Sequence, residues 1–433
     1  MKIFFVSMGC AKNTADSEHL IAQLKLSGHE ILDTPENSHV AIINTCGFIQ
    51  DAVKENIDAI LELEDLKNDG RIEKLIVAGC LVNRYEKELR KELPSVDLFV
   101  KSEEWDKVIN FLGGVENSNC QLVTQAINKN FWTRYLKVSE GCNTLCSYCA
   151  IPLIRGRLRS IPLKQLIDEA LMLCAAGAKE LCLVGQDLTV YGQDFNDGTN
   201  LKTLIHELNR ELPPKTWLRL LYLHPNRVNE ELIDFLLGHE KVLHYLDIPI
   251  QHADSEILAR MNRPCPPGHM QRVFRYIRSL DELFTLRTTI MTGFPGESAE
   301  TFERVLDFVS EIEFDRLGAF IYSPEEGTKA AKFPGKVSSK TAEARCNKLM
   351  ELSATISQER SELFIDQELE VLIEEIDAEE NEAWGRSYRD APEIDGLVCV
   401  SGIDAKKVKP GEIIRAKIFD CAENDLFGEV IEQ

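Results

Sequence analysis

The sequence predicts an α/β protein with three domains: a parallel, Rossmann-like α/β domain, a partial (β/α)6 barrel of the TIM type, and a small five-stranded antiparallel β-barrel of the OB type. Three observations support this prediction. The chain of 433 residues is longer than one hydrophobic core usually serves. Strand-like and helix-like hydrophobic periods alternate in two successive series, and short alternating strands replace them after residue 365.

The first domain is predicted over residues 1–115. Three apolar runs predict strands: Lys2–Ser7, 39–44 and 74–78. Two helical periods separate them: 15–26 and 50–66. This order of strands and helices is typical of a parallel sheet. The polar, glycine-containing stretch that follows predicts a linker at 116–133.

The second domain is predicted over residues 134–364. Six apolar runs predict its strands: 135–139, 180–185, 217–223, 245–250, 286–292 and 317–322. A complete TIM barrel has eight strands, so six predict an open, partial barrel. A long polar helix at 338–363 leads out of it. The third domain, 365–433, has short alternating strands at 369–373, 396–400, 412–418 and 427–431, which predict the small barrel.

Composition and charge restrict the function. Asp and Glu outnumber Lys and Arg by 71 to 49, and a protein whose main task is to coat phosphate backbones is expected to be basic. No apolar run approaches the roughly eighteen residues of a membrane helix, and the opening MKIFFVSMGC does not predict a signal peptide. We therefore expect a cytoplasmic protein. In that compartment thirteen cysteines indicate metal ligation rather than disulfides.

The strongest motif is a C-x3-C-x2-C run just after the first barrel strand, formed by Cys142, Cys146 and Cys149, here called the loop cysteines. Three thiolates on one tight loop suit a [4Fe-4S] cluster and leave the fourth iron open to chelate the amino and carboxylate groups of a methionine moiety. Zinc is the alternative. A zinc site needs a fourth ligand nearby, and neither His nor Cys occurs in the next ten residues.

A second set, Cys10, Cys46 and Cys80, here called the sheet cysteines, is scattered in sequence, but each member follows a predicted strand. Because the carboxyl ends of parallel strands meet at one edge of a sheet, these residues are expected to converge there. Convergence would permit a second cluster. The alternative is that they are buried small hydrophobic residues, as free cysteines often are.

With Tyr148 before its last Cys, the loop motif resembles that of the radical S-adenosylmethionine enzymes. The segments MGCAKN and NTCGF around the first two sheet cysteines, together with the tail barrel, resemble the methylthiotransferases of that superfamily over essentially the whole chain. The resemblance implies a TRAM-type tail barrel and two [4Fe-4S] clusters, one on the loop cysteines, which are then catalytic, and an auxiliary one on the sheet cysteines.

Four stretches resemble the branch that modifies an aspartate of small-subunit ribosomal protein S twelve (RimO-like): SMGCAKNTADSE, YLDIPIQHADSEILARMNRP, TIMTGFPGES and GRSYRDAPEIDG. Charge favours the same branch. Residues 366–433 contain nineteen acidic and seven basic residues, a net charge of −12, which suits a basic protein partner and would repel RNA. Two other functions stay open: a tRNA adenosine methylthiotransferase (MiaB-like), and an iron-sulfur electron carrier or redox sensor. The acidic surface has its own alternative role, solubility.

The resemblance implies an activity. One cluster would cleave S-adenosylmethionine, the radical source and methyl donor, to a 5'-deoxyadenosyl radical that takes hydrogen from the aspartate β-carbon. The auxiliary cluster would deliver a methylated sulfur to that carbon. The implied partners are the basic ribosomal protein, free or in the small subunit, an electron donor such as flavodoxin, and a sulfur-supply system. No membrane and no direct tRNA substrate are expected.

Further positions are predicted to bind the cofactor. They are Tyr148 in the loop motif, Gln186 and Asp187 after the second barrel strand, and Gly293, Pro295, Gly296 and Glu297 after the fifth. The alternatives are packing for Tyr148, turn capping for Gln186 and Asp187, and a simple turn for the GFPGE segment. The remaining cysteines show no ligand spacing and are assigned structural roles: Cys120, Cys174, Cys182, Cys265, Cys346, Cys399 and Cys421.

Overall fold

The computed structural model of the chain describes residues 1–114, 132–266, 268–404 and 407–432. The predicted linker at 116–133 lies outside the described residues except for its last two positions. Cys120 also lies outside them. Within the described segments, no helix combines the length and the apolarity that crossing a bilayer requires.

A five-stranded parallel sheet forms the first domain, in the order β2-β1-β3-β4-β5. Its strands are β1 (Lys2–Ser7), β2 (Glu30–Leu32), β3 (Val40–Thr45), β4 (Lys74–Gly79) and β5 (Leu98–Val100). Its helices are α1 (Ala11–Leu26), α2 (Gln50–Asn68), α3 (Cys80–Glu92) and α4 (Asp106–Phe111). The three predicted strands are present. The prediction missed β2 and β5, edge strands of three residues that are too short to show a period.

Strand β3 is the central strand of this sheet, and its burial agrees with that position. All six of its residues are buried, as expected of a strand whose two faces are both covered by helices. Val40 and Ile42 join the apolar cluster of α1 and α4 on one face, while Ala41 and Ile43 join the cluster of α2 and α3 on the other. The first domain is therefore a three-layer α/β unit.

The second domain contains the predicted six-stranded parallel barrel, open between its edge strands β13 and β6. The strands, in chain order, are β6 (Thr133–Lys137), β9 (Glu180–Val184), β10 (Trp217–Leu220), β11 (Val242–Asp247), β12 (Thr285–Thr292) and β13 (Arg316–Ile321). A two-stranded hairpin lies at its rim: β7 (Ser139–Glu140) and β8 (Arg159–Ser160). The helices are α5 (Ile151–Ile154), α6 (Leu163–Ala175), α7 (Leu201–Glu211), α8 (Glu230–Leu237), α9 (Ser255–Arg260), α10 (His269–Leu280), α11 (Ala299–Ile312) and α12 (Ser339–Glu362).

The tail forms a closed five-stranded barrel in the order β14-β15-β16-β18-β17. Its strands are β14 (Glu368–Asp377), β15 (Glu382–Arg386), β16 (Val398–Ser401), β17 (Ile413–Cys421) and β18 (Leu426–Glu432). The predicted barrel is present, and β15 is the strand without a predicted counterpart. Neighbouring strands are antiparallel except β16 and β18, which pair in parallel, so the expectation of a wholly antiparallel barrel needs this correction.

Both flanking domains pack on the open barrel. Helix α1 lies against the edge strand β6, where Ala15 joins an apolar cluster with Tyr135 inside the barrel. The tail packs on the amino-terminal ends of the barrel strands. There Glu180, the first residue of β9, accepts hydrogen bonds from Arg219 and from Arg386 of the tail, each at 2.6 Å. The carboxyl ends of the barrel strands are left free to face the first domain.

Candidate active site

The sheet cysteines meet at the carboxyl edge of the first sheet, because β1, β3 and β4 are neighbours. Cys10 precedes α1, Cys46 follows β3, and Cys80 begins α3. Close packing leaves no room for side chains between them. At Gly9, where φ is +99°, a methyl group would overlap the Cβ of Cys46, and at Gly47 it would overlap the backbone of residues 80 and 81.

The loop cysteines lie between β7 and α5, on a turn held by the barrel. The backbone N–H of Ser147 donates to the carbonyl of Met261 at 2.9 Å, and the carbonyl of Ser147 accepts from the N–H of Ala330 at 2.8 Å. The Cys149 N–H donates to the Cys146 carbonyl at 3.1 Å, which closes the turn between the last two thiols.

All six cysteines line one cavity of about 370 Å³ between the first domain and the carboxyl ends of the barrel strands. Every barrel strand supplies lining residues near or just beyond its end, including Gln186 after β9, His224 after β10, Gln251 after β11 and Thr289 in β12. Among the described residues, no three His, Cys, Asp or Glu side chains are grouped closely enough to ligate a single metal ion.

The cavity wall contains buried polar atoms that have no hydrogen-bond partner among the described residues. They are Thr144 Oγ1, Gln186 Oε1, His224 Nε2, Gln251 Oε1 and Arg263 Nε. Buried polar groups are nearly always satisfied in folded proteins. Their concentration here, beside six thiols, fits a site for polar cofactors that carry their own donors and acceptors.

Arg155 joins the two domains at this cavity. The guanidinium donates from Nε to Cys80 Sγ at 3.0 Å and from Nη2 to the side-chain oxygen of Asn13 at 2.6 Å. Its Nη1 contacts the carboxylates of Asp16 at 2.9 Å and Glu140 at 2.8 Å. One buried cation thus links a sheet cysteine to the strand that leads into the cysteine loop.

The thiols differ in acidity. Burial raises the pKa of Cys80 to about 11, although Arg155 opposes the shift, and burial raises the pKa of Cys149 to about 12. For Cys10 burial acts in the same direction, but the Lys12 ammonium and the Asn13 backbone N–H outweigh it and lower the pKa. Metal ligation requires thiolates, so binding at Cys80 and Cys149 must release protons.

Two titratable groups on the barrel side of the cavity, Glu140 and His224, each have a single protonation state near neutral pH. Burial would raise the pKa of Glu140, but Arg155 and Lys137 lower it to about 2, so this residue is a carboxylate. Burial lowers the pKa of His224 to about 2, and the nearby Arg263 and Arg227 add to the shift, so the imidazole is neutral. Arg263 donates from Nη1 to Cys146 Sγ at 3.4 Å.

Three of the predicted cofactor-binding side chains lie in the cavity wall. Tyr148 packs edge-on against Phe294 with ring centroids 6.5 Å apart. Gln186 donates to Glu140 Oε1 at 2.9 Å. Asp187 lines the cavity, and its carboxylate also caps the short 3-10 helix at Leu188–Val190 and pairs with Arg227 at 2.7 Å. Asp187 therefore also caps a turn, as the alternative interpretation predicts.

The GFPGE segment is placed differently. Gly293, Pro295, Gly296 and Glu297 are not among the residues that line the cavity. Glu297 is buried, accepts the backbone N–H of Gly293 at 3.0 Å, and pairs with Arg345 of α12. These contacts pack the segment against the last barrel helix. Its contact with the adenosyl group stays a prediction.

The remaining described cysteines lie elsewhere. Cys182 is buried in the barrel interior, and Cys399 is buried in the tail barrel. The thiols of Cys174 and Cys421 contact Thr216 and Gln358. Cys265 and Cys346 are half-buried. None of the six lines the cavity.

Sequence reasoning missed several lining residues: Lys12, Asn13, Arg155, Tyr222, His224, Gln251 and Arg263. Position offered a signal for His224 and Gln251, because both follow the carboxyl end of a barrel strand. Arg155 offered none, since a cation six residues beyond a cysteine motif has no distinctive spacing. Only the contact between the domains brings it to Cys80.

Three family descriptions match successive parts of the chain. "Uncharacterized protein family UPF0004" matches residues 2–101, "Radical SAM superfamily" residues 136–309, and "TRAM domain" residues 365–431. The radical S-adenosylmethionine methyltransferase TsrM from Kitasatospora setae aligns with a TM-score of 0.54 at 15% identity, over 73% of this chain and 72% of that one. The cobalamin-dependent S-adenosylmethionine radical enzyme OxsB aligns with a TM-score of 0.51 at 12% identity, over 82% of this chain and 56% of that one. At such identities the likeness shows the fold alone. Barrel, cysteine loop and family match together define a radical S-adenosylmethionine protein.

Curated relatives identify the family more narrowly. Ribosomal protein uS12 methylthiotransferase RimO of Geobacter sulfurreducens is 40% identical over 99% of this chain and 98% of its own length. The protein of that name from Aquifex aeolicus is 41% identical over 100% of this chain and 98% of its own length. The one from Syntrophomonas wolfei is 39% identical over 99% of this chain and 100% of its own length. The chain belongs to the ribosomal protein uS12 methylthiotransferase family. The resemblance drawn from the sequence is confirmed.

Proposed function

We propose that this chain is a radical S-adenosylmethionine enzyme that inserts a methylthio group at the β-carbon of an aspartate of ribosomal protein uS12. The observation that carries the proposal is the single cavity lined by six cysteines from two domains. Relatives about 40% identical along nearly their whole length are named for this activity. Those names favour the ribosomal protein over tRNA, and the cavity favours an enzyme over an electron carrier.

Each domain receives one task in this proposal. Residues 1–115 hold the auxiliary cluster, residues 134–364 hold the S-adenosylmethionine cluster, and residues 365–433 recognise the substrate protein. Residues 116–133 link the first two domains. The family matches at 2–101, 136–309 and 365–431 fall within these limits.

The loop cysteines would hold one [4Fe-4S] cluster and the sheet cysteines a second. Soft thiolates suit such clusters, and the unpartnered polar atoms of the wall suit S-adenosylmethionine. When bound, these groups supply the radical and the sulfur that replacement of an unactivated C–H bond requires and that no side chain can provide.

The chain's own residues would bind and orient the cofactor. Gln186, held by Glu140, keeps its carbonyl oxygen available to a donor. The neutral His224 has an Nε2, and Arg263 an Nε–H, that find no partner within the described part of the chain, and both residues line the same space. Lys12 lies over the Tyr222 ring, 4.8 Å from its centroid, where α1 faces the barrel. Walls from both domains would limit the water that can reach a reactive intermediate.

The activity requires two further partners. An electron donor such as flavodoxin must reduce the loop-cysteine cluster, and a sulfur-supply system must replace the sulfur that each product removes. The substrate is met either free or in the small ribosomal subunit.

The proposal is tested by anaerobic reconstitution of the full chain with iron, sulfide and S-adenosylmethionine. Wild type should bind about eight irons, four for each cluster. Replacement of either cysteine set by Ala should leave about four. Only the sheet-cysteine variant should still form 5'-deoxyadenosine with dithionite, and only wild type should add about 46 Da, the mass of a methylthio group replacing hydrogen, to purified uS12.

The matched control is C174A/C265A/C346A, three half-buried cysteines outside the cavity, which should keep all eight irons and both activities. About four irons in wild type would refute the second cluster. A modified tRNA adenosine together with an unmodified uS12 would refute the substrate.

A further inference from the structure

Positive charge is concentrated on the outer side of the cysteine loop. Residues 141–163 contain no acidic residue and three arginines, of which Arg157 and Arg159 are exposed and Arg155 is buried. Residues 327–342 contain four lysines and no acidic residue. The whole chain carries a net charge of −22. Two wholly basic segments therefore stand out against an acidic molecule.

The two segments contact each other. The Ala330 N–H donates to the Ser147 carbonyl at 2.8 Å, and a methyl group at Gly327 would overlap the side chain of Leu153. Apolar side chains are exposed at the same place, Leu145 by 55% and Leu153 by 60%. We call this region the outer loop surface; it consists of Leu145, Leu153, Arg157, Lys329 and Lys332, all exposed.

The outer loop surface lies next to the loop cysteines along the chain. Leu145 precedes Cys146 directly, on a turn where its φ is +54° and where the Asn262 amide donates to its carbonyl at 2.9 Å. Leu153 lies on α5, four residues beyond Cys149. Electron transfer weakens steeply with distance, so a protein that reduces a cluster on these cysteines has to sit close to them.

The side of this surface toward the first domain is open. A cavity of about 440 Å³ is lined by Leu153, Arg157 and Arg159 together with Lys101 and Glu103 of the first domain, and Glu103 pairs with Arg159 at 2.8 Å. Arg155 lines this cavity and also the six-cysteine cavity. A partner seated here would lie against Arg155, whose Nε donates to Cys80 Sγ at 3.0 Å.

We propose that the outer loop surface docks a small acidic one-electron donor protein. This inference rests on the proposed function, since it supplies the electron that the loop-cysteine cluster needs. The donor is oxidised by one electron and the cluster is reduced by one, with no transfer of a proton or group. Exposed leucines form the apolar centre, and the basic side chains attract the partner while the acidic remainder of the chain repels it.

The test replaces Arg157 and Lys329 by Glu. Both side chains are exposed, and among the described residues neither has an ion-pair partner to lose. The probe is reduced flavodoxin, mixed anaerobically with the reconstituted full chain while cluster absorbance is followed. R157E/K329E should lower the second-order rate constant about tenfold at low salt, and the difference should shrink as salt screens the charges. Iron content and reduction by dithionite should match wild type.

The control K407E/K417E makes the same charge change on the tail, at side chains that are 76% and 51% exposed. It should reduce as fast as wild type. A wild-type rate in R157E/K329E, or equal slowing in both variants, would overturn the proposal. So would an unchanged rate combined with lost affinity for a ribosomal RNA fragment, which would assign the surface to nucleic acid. Failure of the proposed function is distinct: wild type reduced by dithionite would form no 5'-deoxyadenosine.

Discussion

At the scale of single residues, Arg155 decides how the two cysteine sets face each other. Its buried guanidinium contacts Cys80 Sγ on one side and the carboxylates of Asp16 and Glu140 on the other. Asp16 is shared with Lys137 of the barrel, so the ion pairs continue across the domain boundary. A cation fixed by two carboxylates keeps its N–H directed at the sulfur.

Replacing Arg155 by Gln should lower the reduction potential of the auxiliary cluster, because hydrogen bonds and positive charge near ligand sulfur favour the reduced state. A hydrogen bond to a charged group is worth about 1.5 kcal/mol or more, which for one electron corresponds to a shift of about 60 mV. The measurement is an anaerobic redox titration followed by electron paramagnetic resonance. It uses the background in which the loop cysteines are Ala, so that only one cluster contributes.

Arg157→Gln is the control for that experiment, since it removes an exposed cation two residues away and should leave the potential unchanged. An unchanged potential in R155Q, with full iron content, would show that the Arg155 contact only packs the two domains together.

At the scale of elements, a buried ion network fastens the tail to the barrel. Glu180 of β9 accepts from Arg219 of β10 and from Arg386 of β15, and all three side chains are buried. Arg219 also donates to the carbonyl of Tyr388 at 2.8 Å. Asp395, from the loop after β15, accepts from Tyr245 at 2.8 Å inside the barrel. The tail thus closes the amino-terminal end of the barrel.

Glu180→Gln should destabilise the chain by about 3–5 kcal/mol, because breaking a buried ion pair leaves uncompensated charge. Chemical denaturation at neutral pH measures the free energy of unfolding. Glu207→Gln removes a half-buried partner of the exposed Arg210 and should cost no more than about 1 kcal/mol. A cost as small for Glu180 as for Glu207 would contradict the role of the network.

The same pair predicts a pH dependence. Burial would raise the pKa of Glu180, but Arg386 and Arg219 lower it from 4.5 to about 2. A lowered pKa gives stability that is complete above pH 4.5 and is lost as the pH falls toward 2. Wild type should therefore lose more stability over that window than Glu180→Gln does, in denaturation curves recorded at successive pH values.

At the scale of the whole molecule, the tail and the cavity lie at opposite ends of the barrel. The tail contacts the first residues of the barrel strands, such as Thr133 and Glu180, whereas the cavity lies beyond their last residues. In the proposed function, the strongly acidic tail attracts a basic substrate protein as a body and does not touch its reacting aspartate. Recognition and chemistry would then be separated by the length of a strand.

Charge reversal at Glu379 and Glu380, exposed residues between β14 and β15, should slow association with purified uS12 by about tenfold at low salt and raise KM, with kcat unchanged. The control makes the same change at Glu62 and Asp65, exposed on α2. Stopped-flow binding at several salt concentrations measures the association rate. A fall in kcat instead, or equal slowing by the control, would contradict steering by the tail.

The sequence alone determined the order of the three domains, the six barrel strands and the six cysteines, because each depends on local periods and on motifs that a strand end or a tight loop requires. It did not determine the partners of those cysteines. Arg155 reaches Cys80 only because the two domains face each other, and Arg263 reaches Cys146 only because the barrel brings them together. The GFPGE segment packs on α12 because Arg345, far along the chain, pairs with Glu297. Such contacts join residues distant in sequence, so only the tertiary structure, through the packing of the first domain and the tail on the open barrel, decided them.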